Sequence, residues 1–246
     1  MTLHRAATLQ TTTLWILRHG QALHNPRAEA ARSAGCSKAE FLEWMRRDDA
    51  LDAPLTALGI EQARSVQLLP LVVVPDVVIA SPLSRALQTA DVACSPASIS
   101  SSSTRRIAYE GFREINGWLL NAKRRSKTEL QSLFPAWDFD DLQTEHDVLW
   151  EPTVLEDERA CGERGHQGLL WIARTFQDAS SVLLVAHGGI LSYTMQLQPH
   201  VMVRDERSEE QQERAVTARF SNCELRRYRL QVEQDVVTLT EVDLDS

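Results

Sequence analysis

Three short apolar segments of this chain each end in polar or ionisable residues, and this repetition restricts the fold more than any other feature. The junctions are 13–17 before Arg18-His19-Gly20, 76–80 before Ser81, and 181–186 before His187-Gly188-Gly189. Such short apolar runs are typical of buried strands, and helix-forming sequence follows each of them. Strands that alternate with helices predict a layered α/β domain.

The polar residues at these junctions are expected to meet in one crevice. Open α/β sheets bind ligands outside the carboxyl ends of their strands. Arg18 and His19 follow the first strand, Arg85 lies in the first turn of the helix after the second, and His187 follows the last. Guanidinium groups match tetrahedral oxyanions, and helix N-termini add N–H donors. The sequence therefore predicts a phosphate-binding pocket.

Capping residues set the expected helix starts. Thr56 is a predicted N-cap, with Leu55 and Ile60 at the two positions of a hydrophobic staple, and this helix is expected to reach about Leu69. The next helix is predicted to begin at Ser81-Pro82, with Ser81 as its N-cap. The other predicted elements are a flexible loop at 95–104, a third strand at 105–110, helices at 128–134, 155–176 and from Ile190, and two antiparallel strands within 225–242 that join near 233–235.

The composition limits the possible partners and compartments. The chain has 246 residues, 43% of them hydrophobic, and a net charge of −8, so we expect a single domain over 1–246 that binds no nucleic acid through a broad basic face. Its four cysteines are scattered, which argues against a disulfide framework or a structural zinc site. The sequence contains neither a signal peptide nor a stretch that would span a membrane. These features predict a cytoplasmic protein.

The chemistry expected of this crevice is phosphoryl transfer. An imidazole with one free ring nitrogen attacks phosphorus when its other nitrogen is held by a hydrogen bond, and a neighbouring glycine allows the close backbone approach that this needs. The leaving alkoxide needs a proton, for which Glu114 after the third strand is a candidate. Glu110 lies four residues earlier and is an alternative.

Four motifs carry a resemblance that covers the chain from about 13 to 192. They are Arg18-His19-Gly20, S-P-L-S-R-A-L-Q-T-A at 81–90, Arg113-Glu114 and A-H-G-G-I-L at 186–191. In this order they resemble the histidine phosphatase superfamily, whose members include the phosphoglycerate mutases. Further segments resemble the phosphoglycerate-mutase-like proteins of plants and fungi, to about residue 230: D-A-P-L-T-A-L-G at 52–59, L-F-P-A-W-D-F at 133–139, H-D-V-L-W at 146–150 and F-S-N-C-E-L-R at 220–226.

This resemblance implies a fold and a set of roles. The fold would be a three-layer α/β/α sandwich with a mostly parallel sheet and antiparallel C-terminal strands. His19 would be the nucleophile that becomes phosphorylated, and Glu114 the general acid and then the base. The expected phosphate-binding residues are Arg18, His19, Asn25, Arg85, His187 and Gly188. No metal or cofactor is implied, because two arginines and two histidines supply the positive charge.

Some residues keep two interpretations. Asn25 equally fits a cap of the next helix, and His24 is expected to pack structurally. Ala22 stands where many members carry Ser or Thr, so a hydroxyl contact to phosphate is expected to be missing. The segment after Glu114 lacks the pattern of the glycolytic mutases. We therefore expect a phosphomonoesterase that acts through a phosphohistidine on a small phosphorylated metabolite; the alternatives are a phosphoglycerate-mutase-type phosphotransferase and a weakly active phospholigand-binding protein.

Two segments are expected to choose the substrate. They are an insertion at about 28–50 and a lid-like segment at about 116–151. The basic run Lys123-Arg124-Arg125 in the second segment fits either a solvated face or a site for a second phosphate or carboxylate. The tryptophans at 118, 137 and 150 are expected to form the core of the lid. The oligomeric state is left open.

Overall fold

A computed structural model of the chain describes residues 11–67, 74–94, 104–206 and 219–244. Two expectations fall outside these ranges: the end of a helix near Leu69, and all but the last residue of the loop at 95–104. None of the helices in the described ranges is long and apolar enough to cross a membrane.

The described part of the chain contains seven strands and seven α-helices. The strands are β1 (Thr12–Arg18), β2 (Val77–Ala80), β3 (Arg105–Ala108), β4 (Ser181–Ala186), β5 (Val201–Asp205), β6 (Leu225–Glu233) and β7 (Val236–Val242). The helices are α1 (Pro26–Ser33), α2 (Lys38–Arg47), α3 (Ala57–Gln67), α4 (Ser84–Ala93), α5 (Lys127–Leu133), α6 (Glu158–Thr175) and α7 (Gly188–Leu197). Two short 3-10 helices lie at Glu110–Phe112 and Leu120–Ala122.

The strands form one mixed sheet in the order β3-β2-β4-β1-β6-β7-β5. The neighbours β3, β2, β4 and β1 run parallel, whereas β6 is antiparallel to both β1 and β7. The predicted fold class is therefore confirmed, including the antiparallel C-terminal pair. The short strand β5, which pairs in parallel with β7, was not predicted.

The sheet separates two cores, because successive side chains of a strand point to opposite faces. In β1, Leu14 and Ile16 join the cluster that contains α6 and α7. Trp15 and Leu17 join the cluster that contains α4 and part of α3. Helices on both faces of a mainly parallel sheet make a three-layer sandwich, and this buries β1, β2 and β4 on both sides.

The predicted start of α4 is wrong by two residues. The helix begins at Ser84, whereas the Ser81 hydroxyl accepts a hydrogen bond only from the Leu83 amide, at 3.3 Å. The carboxylate of Asp52, 32 residues away in sequence, accepts hydrogen bonds from both the backbone N–H and the hydroxyl of Ser84. A buried carboxylate from another segment thus takes the capping role that local sequence assigned to Ser81.

The other predicted starts are close to the observed ones. Thr56 caps α3 by accepting the Gly59 N–H at 3.0 Å, and α7 begins two residues before the predicted Ile190. The long helix α6 forms despite its three glycines. A Cβ at Gly162 or Gly168 would lie within 2.8 Å of atoms of Tyr193 or Phe112, so these glycines allow α6 to pack closely on its neighbours.

The two segments expected to choose the substrate lie in different layers. The 28–50 insertion consists mainly of α1 and α2, which pack through Ala28 and Met45 against Leu119. Only the first part of the lid-like segment touches them. Its later apolar side chains are buried in the core beside α4. They are Leu130, Phe134, Trp137, Phe139 and Leu142.

Candidate active site

His19 lies directly after β1, beside the end of β4. Its backbone N–H donates to the Ala186 carbonyl at 3.0 Å, which continues the parallel pairing of the two strands. Its Nδ1 lies 2.6 Å from the carbonyl oxygen of Gly20. This contact places a proton on Nδ1 and leaves the lone pair on Nε2. A Cβ at Gly20 would lie 2.5 Å from the Gly59 carbonyl oxygen, so the loop's approach to α3 requires glycine here.

His187 and Arg85 lie behind His19 and are fully buried. The ring centroids of His19 and His187 are 5.0 Å apart. Arg85 donates through Nη1 to the Asn121 carbonyl at 2.6 Å. Within the described residues, Nε and Nη2 of Arg85 and both ring nitrogens of His187 have no hydrogen-bond partner. The interior beside His19 is therefore lined with unused donors.

Arg18 approaches the same place from the end of β1. Its Nη1 donates to the Phe220 carbonyl at 2.8 Å, and its Nη2 forms an ion pair with Glu29 on α1. A Cβ at Gly188 would lie 3.2 Å from Nε of Arg18, so the start of α7 and this guanidinium are in close contact. Within the described chain Nε has no partner. The role of Glu29 was not predicted, because no local pattern connects it to Arg18.

The electrostatics keep the histidines of this region neutral. Burial, together with the charges of Arg85 and Arg18, lowers the pKa of His19 and of His24 well below 6.5. Burial and Arg85 lower the pKa of His187 in the same way. Burial also lowers the pKa of Arg85 to about 10, which leaves it protonated at neutral pH. The site thus combines neutral imidazoles with permanent positive charges.

Glu114 lies at the N-terminus of α7. Its Oε2 accepts the Gly189 N–H, and its Oε1 accepts the N–H groups of Ile190 and Ile115, all at about 3 Å. A Cβ at Gly189 would overlap this carboxylate, which explains the second glycine after His187. The alternative, Glu110, instead pairs with Arg113 and Arg124 away from the cavity. The structure thus brings Glu114, and not Glu110, to the predicted crevice.

A cavity of about 110 Å³ opens beside these groups. Five predicted site residues line it: Arg18, His19, Asn25, Glu114 and Gly188. Asn25 occupies the N-cap position of α1 without a side-chain cap bond, and its Oδ1 accepts the Ala22 N–H at 2.9 Å. His24, expected to pack structurally, is buried but also lines the cavity, with its ring centroid 6.4 Å from that of His19.

The basic run of the lid-like segment takes no part in this cavity. Arg124 is buried and donates to the carbonyls of Thr144 and Glu145. Arg125 lies 3.5 Å from Asp52, and Lys123 lies over the ring of Trp150. The run therefore holds the lid-like segment together, which is neither of the two interpretations that the sequence left open.

Comparison with known proteins identifies the family. Residues 14–217 match the family model of the histidine phosphatase superfamily (branch 1). The chain belongs to this superfamily. Histidine phosphatase relatives from Arabidopsis thaliana include the Phosphoglycerate mutase-like protein, 31% identical over 91% of this chain and 84% of that protein. Phosphoglycerate mutase-like protein 1 is 30% identical over 87% of this chain and 79% of its own length.

Solved structures of low sequence identity share the histidine phosphatase fold. A putative alpha-ribazole-5'-P phosphatase from Escherichia coli is 22% identical, with a TM-score of 0.52 over 94% of this chain and 96% of that one. A mycobacterial glucosyl-3-phosphoglycerate phosphatase in complex with VO3 is 16% identical, with a TM-score of 0.53 over 94% and 98%. At these identities the likeness concerns the fold.

Proposed function

We propose that this histidine phosphatase is a phosphomonoesterase that acts through a phosphohistidine on a small phosphorylated metabolite. The observation that carries the proposal is the pairing of a nucleophile with an anion site. Gly20 holds Nδ1 of His19, and the His187 ring, whose nitrogens have no partner within the described residues, lies 5.0 Å from that of His19. The buried Arg85, whose charge acts on His19, adds two nitrogens without a partner within the same described residues.

The unused donors favour an anionic ligand on energetic grounds. A buried donor without a partner costs roughly 1–3 kcal/mol, and more when it carries a charge. Arg85 contributes two such nitrogens and Arg18 one, within a region that also holds neutral histidines. The oxygens of a phosphoryl group would satisfy these donors together, and a guanidinium binds them with charge-assisted geometry.

The first step would transfer the phosphoryl group to His19. Nε2 lies on the opposite side of the ring from the Gly20 contact and would attack phosphorus, while the bond from phosphorus to the ester oxygen breaks. Arg18, Arg85 and His187 would stabilise the charge on the phosphoryl oxygens. Glu114 would donate a proton to the leaving oxygen, so that the product leaves as an alcohol and not as an alkoxide.

The second step would return the enzyme to its starting state. Glu114, now ionised, would take a proton from water, and the resulting hydroxide oxygen would attack phosphorus as the bond to Nε2 breaks. Three backbone N–H groups hold the oxygens of this carboxylate in a fixed position at the N-terminus of α7. The products are inorganic phosphate and free His19.

A mutase would differ in the second step alone. It would pass the phosphoryl group to a bound acid rather than to water. Because the Arabidopsis relatives are named phosphoglycerate mutase-like proteins, the experiment below also measures isomerisation. The phosphatases among the structural neighbours agree with a hydrolytic second step.

The experiment measures phosphate release, isomerisation and the phosphoenzyme together. The wild type is incubated with p-nitrophenyl phosphate and with phosphometabolites that include 3-phosphoglycerate. We expect phosphate release and an acid-labile phosphorylated protein, both absent from His19→Ala. Replacement of the exposed His200 by Ala serves as the matched control and should change neither. Isomerisation of 3-phosphoglycerate without phosphate release would indicate a mutase, and no reaction with no phosphoenzyme would contradict the enzyme proposal.

A further inference from the structure

The cavity has a second cationic region, which lies along α1 beyond His19 and Asn25. Asn25, Glu29 and Arg32 all line the cavity, and they lie at helical spacing on one side of α1. The helix rises 1.5 Å per residue, so Arg32 lies roughly 10 Å along its axis from Asn25. The cavity therefore extends well beyond the volume that a phosphoryl group at His19 would fill.

Arg32 and Arg219 supply the positive charge in this region. Both line the cavity, and neither has a carboxylate ion-pair partner within the described ranges. Burial and the charge of Arg219 lower the pKa of Arg32, and the charge of Glu29 opposes them. Arg32 is half-buried and Arg219 is exposed, and two like charges that line one cavity favour a bound anion.

The other charged residues of the cavity contrast with this pair. Arg18 is matched by Glu29, and Lys38 by Glu158 at 2.5 Å. Four cationic side chains and the carboxylates of Glu29 and Glu114 line the cavity, which leaves a formal surplus of two positive charges. Arg32 and Arg219 are the two cationic side chains without an ion-pair contact within the described ranges, although the charges of Glu29 and Glu158 act on them.

Apolar side chains make up a large part of the cavity lining. The guanidinium carbon of Arg32 lies 3.4 Å from the ring centroid of Phe41, so one face of this guanidinium is covered and its N–H edge remains to bind oxygens. The apolar side chains of the cavity come from α2, from the lid-like segment and the residues on either side of it, and from the C-terminal part of the chain. They are Phe41, Leu42, Met45, Ile115, Leu119, Leu155 and Phe220. This lining suits a hydrophobic body rather than a polyol.

We propose that the leaving group of the substrate carries a second anionic group, a carboxylate or phosphate, which Arg32 and Arg219 bind across an apolar body that rests on Phe41, Leu42 and Leu119. The inference rests on the proposed phosphomonoesterase function and specifies its substrate class. The basic run at 123–125 is not needed for this, since it lies outside the cavity.

The test compares two aryl phosphates that differ mainly in charge. They are 4-carboxyphenyl phosphate and 4-carbamoylphenyl phosphate, which have nearly the same shape; the carbamoyl compound has the more acidic phenol as its leaving group, so leaving-group chemistry works against the expected preference. For the wild type we expect kcat/KM to be at least about tenfold higher for the carboxylate compound, because Arg32 and Arg219 would form charge-assisted hydrogen bonds with its carboxylate. Arg32→Gln and Arg219→Gln should each reduce this ratio about fivefold or more.

A matched control uses another arginine of the same helix. Arg27 is exposed, lies outside the cavity and pairs with Asp48, so Arg27→Gln should leave the ratio unchanged. Hydrolysis of both compounds with equal efficiency, or a ratio that survives both cavity substitutions, would overturn the inference and leave the proposed function intact. Hydrolysis of neither compound would overturn the proposed function and the inference with it.

Discussion

The Nδ1 atom of His19 lies 2.6 Å from the carbonyl oxygen of Gly20, the next residue in the chain. The contact holds the ring at a fixed angle and leaves Nε2 as the free nitrogen. Burial and the nearby arginines lower the pKa of His19 well below 6.5 at the same time. Together these effects keep the imidazole neutral, which a nucleophile requires.

The tautomer of His19 is a direct prediction of this geometry. In ¹⁵N NMR spectra of the free protein at pH 7, we expect a neutral ring that is protonated on Nδ1, with Nε2 in its unprotonated state. The resonance is assigned by its loss in His19→Gln. A ring protonated on both nitrogens at pH 7 would contradict the electrostatic argument, and protonation on Nε2 alone would contradict the contact with Gly20.

Replacement of Glu114 should affect substrates according to their leaving groups. Glu114→Gln removes the proton donor, so kcat/KM for an alkyl phosphate should fall by about 100-fold or more, within the usual range for general acid catalysis. The loss for p-nitrophenyl phosphate should be smaller, since its leaving group needs little protonation. Steady-state kinetics with both substrates measure the difference.

Glu110→Gln is the matched control for that comparison. Glu110 pairs with Arg113 and Arg124 outside the cavity, so this variant should lose stability without distinguishing the two substrates. Equal losses on both substrates in Glu114→Gln would argue against its role as the acid.

The features of this molecule that the sequence predicts are those marked by residues close together in the chain. Buried strands are short apolar runs, and the residues that follow them reach one edge of the sheet. The rings of His19 and His187 accordingly lie 5.0 Å apart, and the charge of Arg85 acts on both. The family's motifs add Glu114, which the structure places at the start of α7.

The unpredicted features depend on partners far apart in sequence. Asp52 caps α4 through Ser84, and Arg32 and Arg219 line one cavity although they are far apart in sequence. Neither pair has a pattern of spacing that a single sequence shows. The place of His24 in the cavity lining was not predicted for a related reason. Local sequence does not distinguish a histidine that packs in the core from one that lines a cavity.

Stability should fall as the pH is lowered through the range of ordinary histidines. The pKa of buried His24 is lowered in the folded state, so below about 6.5 the unfolded chain takes up a proton that the folded chain excludes. This costs about 1 kcal/mol between pH 7 and 5.5 for one such group. His24→Asn should therefore flatten the decline by about that amount. Urea denaturation at three pH values measures it, with the exposed His200→Asn as control; parallel curves for wild type and His24→Asn would contradict it.

Asp52 should act in the opposite direction. Burial raises its pKa to about 6 from 3.8, so between these values the folded chain binds a proton that the unfolded chain has lost. Acidification from pH 7 to 5 should then stabilise the wild type relative to Asp52→Asn by about 1 kcal/mol. The measurement is the difference in the free energy of unfolding between the two proteins at each pH. A difference that stays constant with pH would show that the carboxyl group does not titrate in this range.

The ion pair of Arg113 with Asp147 should hold the lid-like segment in place. Both side chains are 1% exposed, and two hydrogen bonds at 2.6 and 2.9 Å join the guanidinium to the two carboxylate oxygens. Removal of one partner leaves a buried charge with weaker contacts, since Arg113 keeps its ion pair with Glu110 and Asp147 the N–H of Arg124, so Arg113→Met or Asp147→Leu should each cost about 3 kcal/mol. The double variant should cost clearly less than the sum of the two, because it buries no unpaired charge. Chemical denaturation of the four proteins gives the coupling energy, and additive losses would mean that each residue acts through its other contacts.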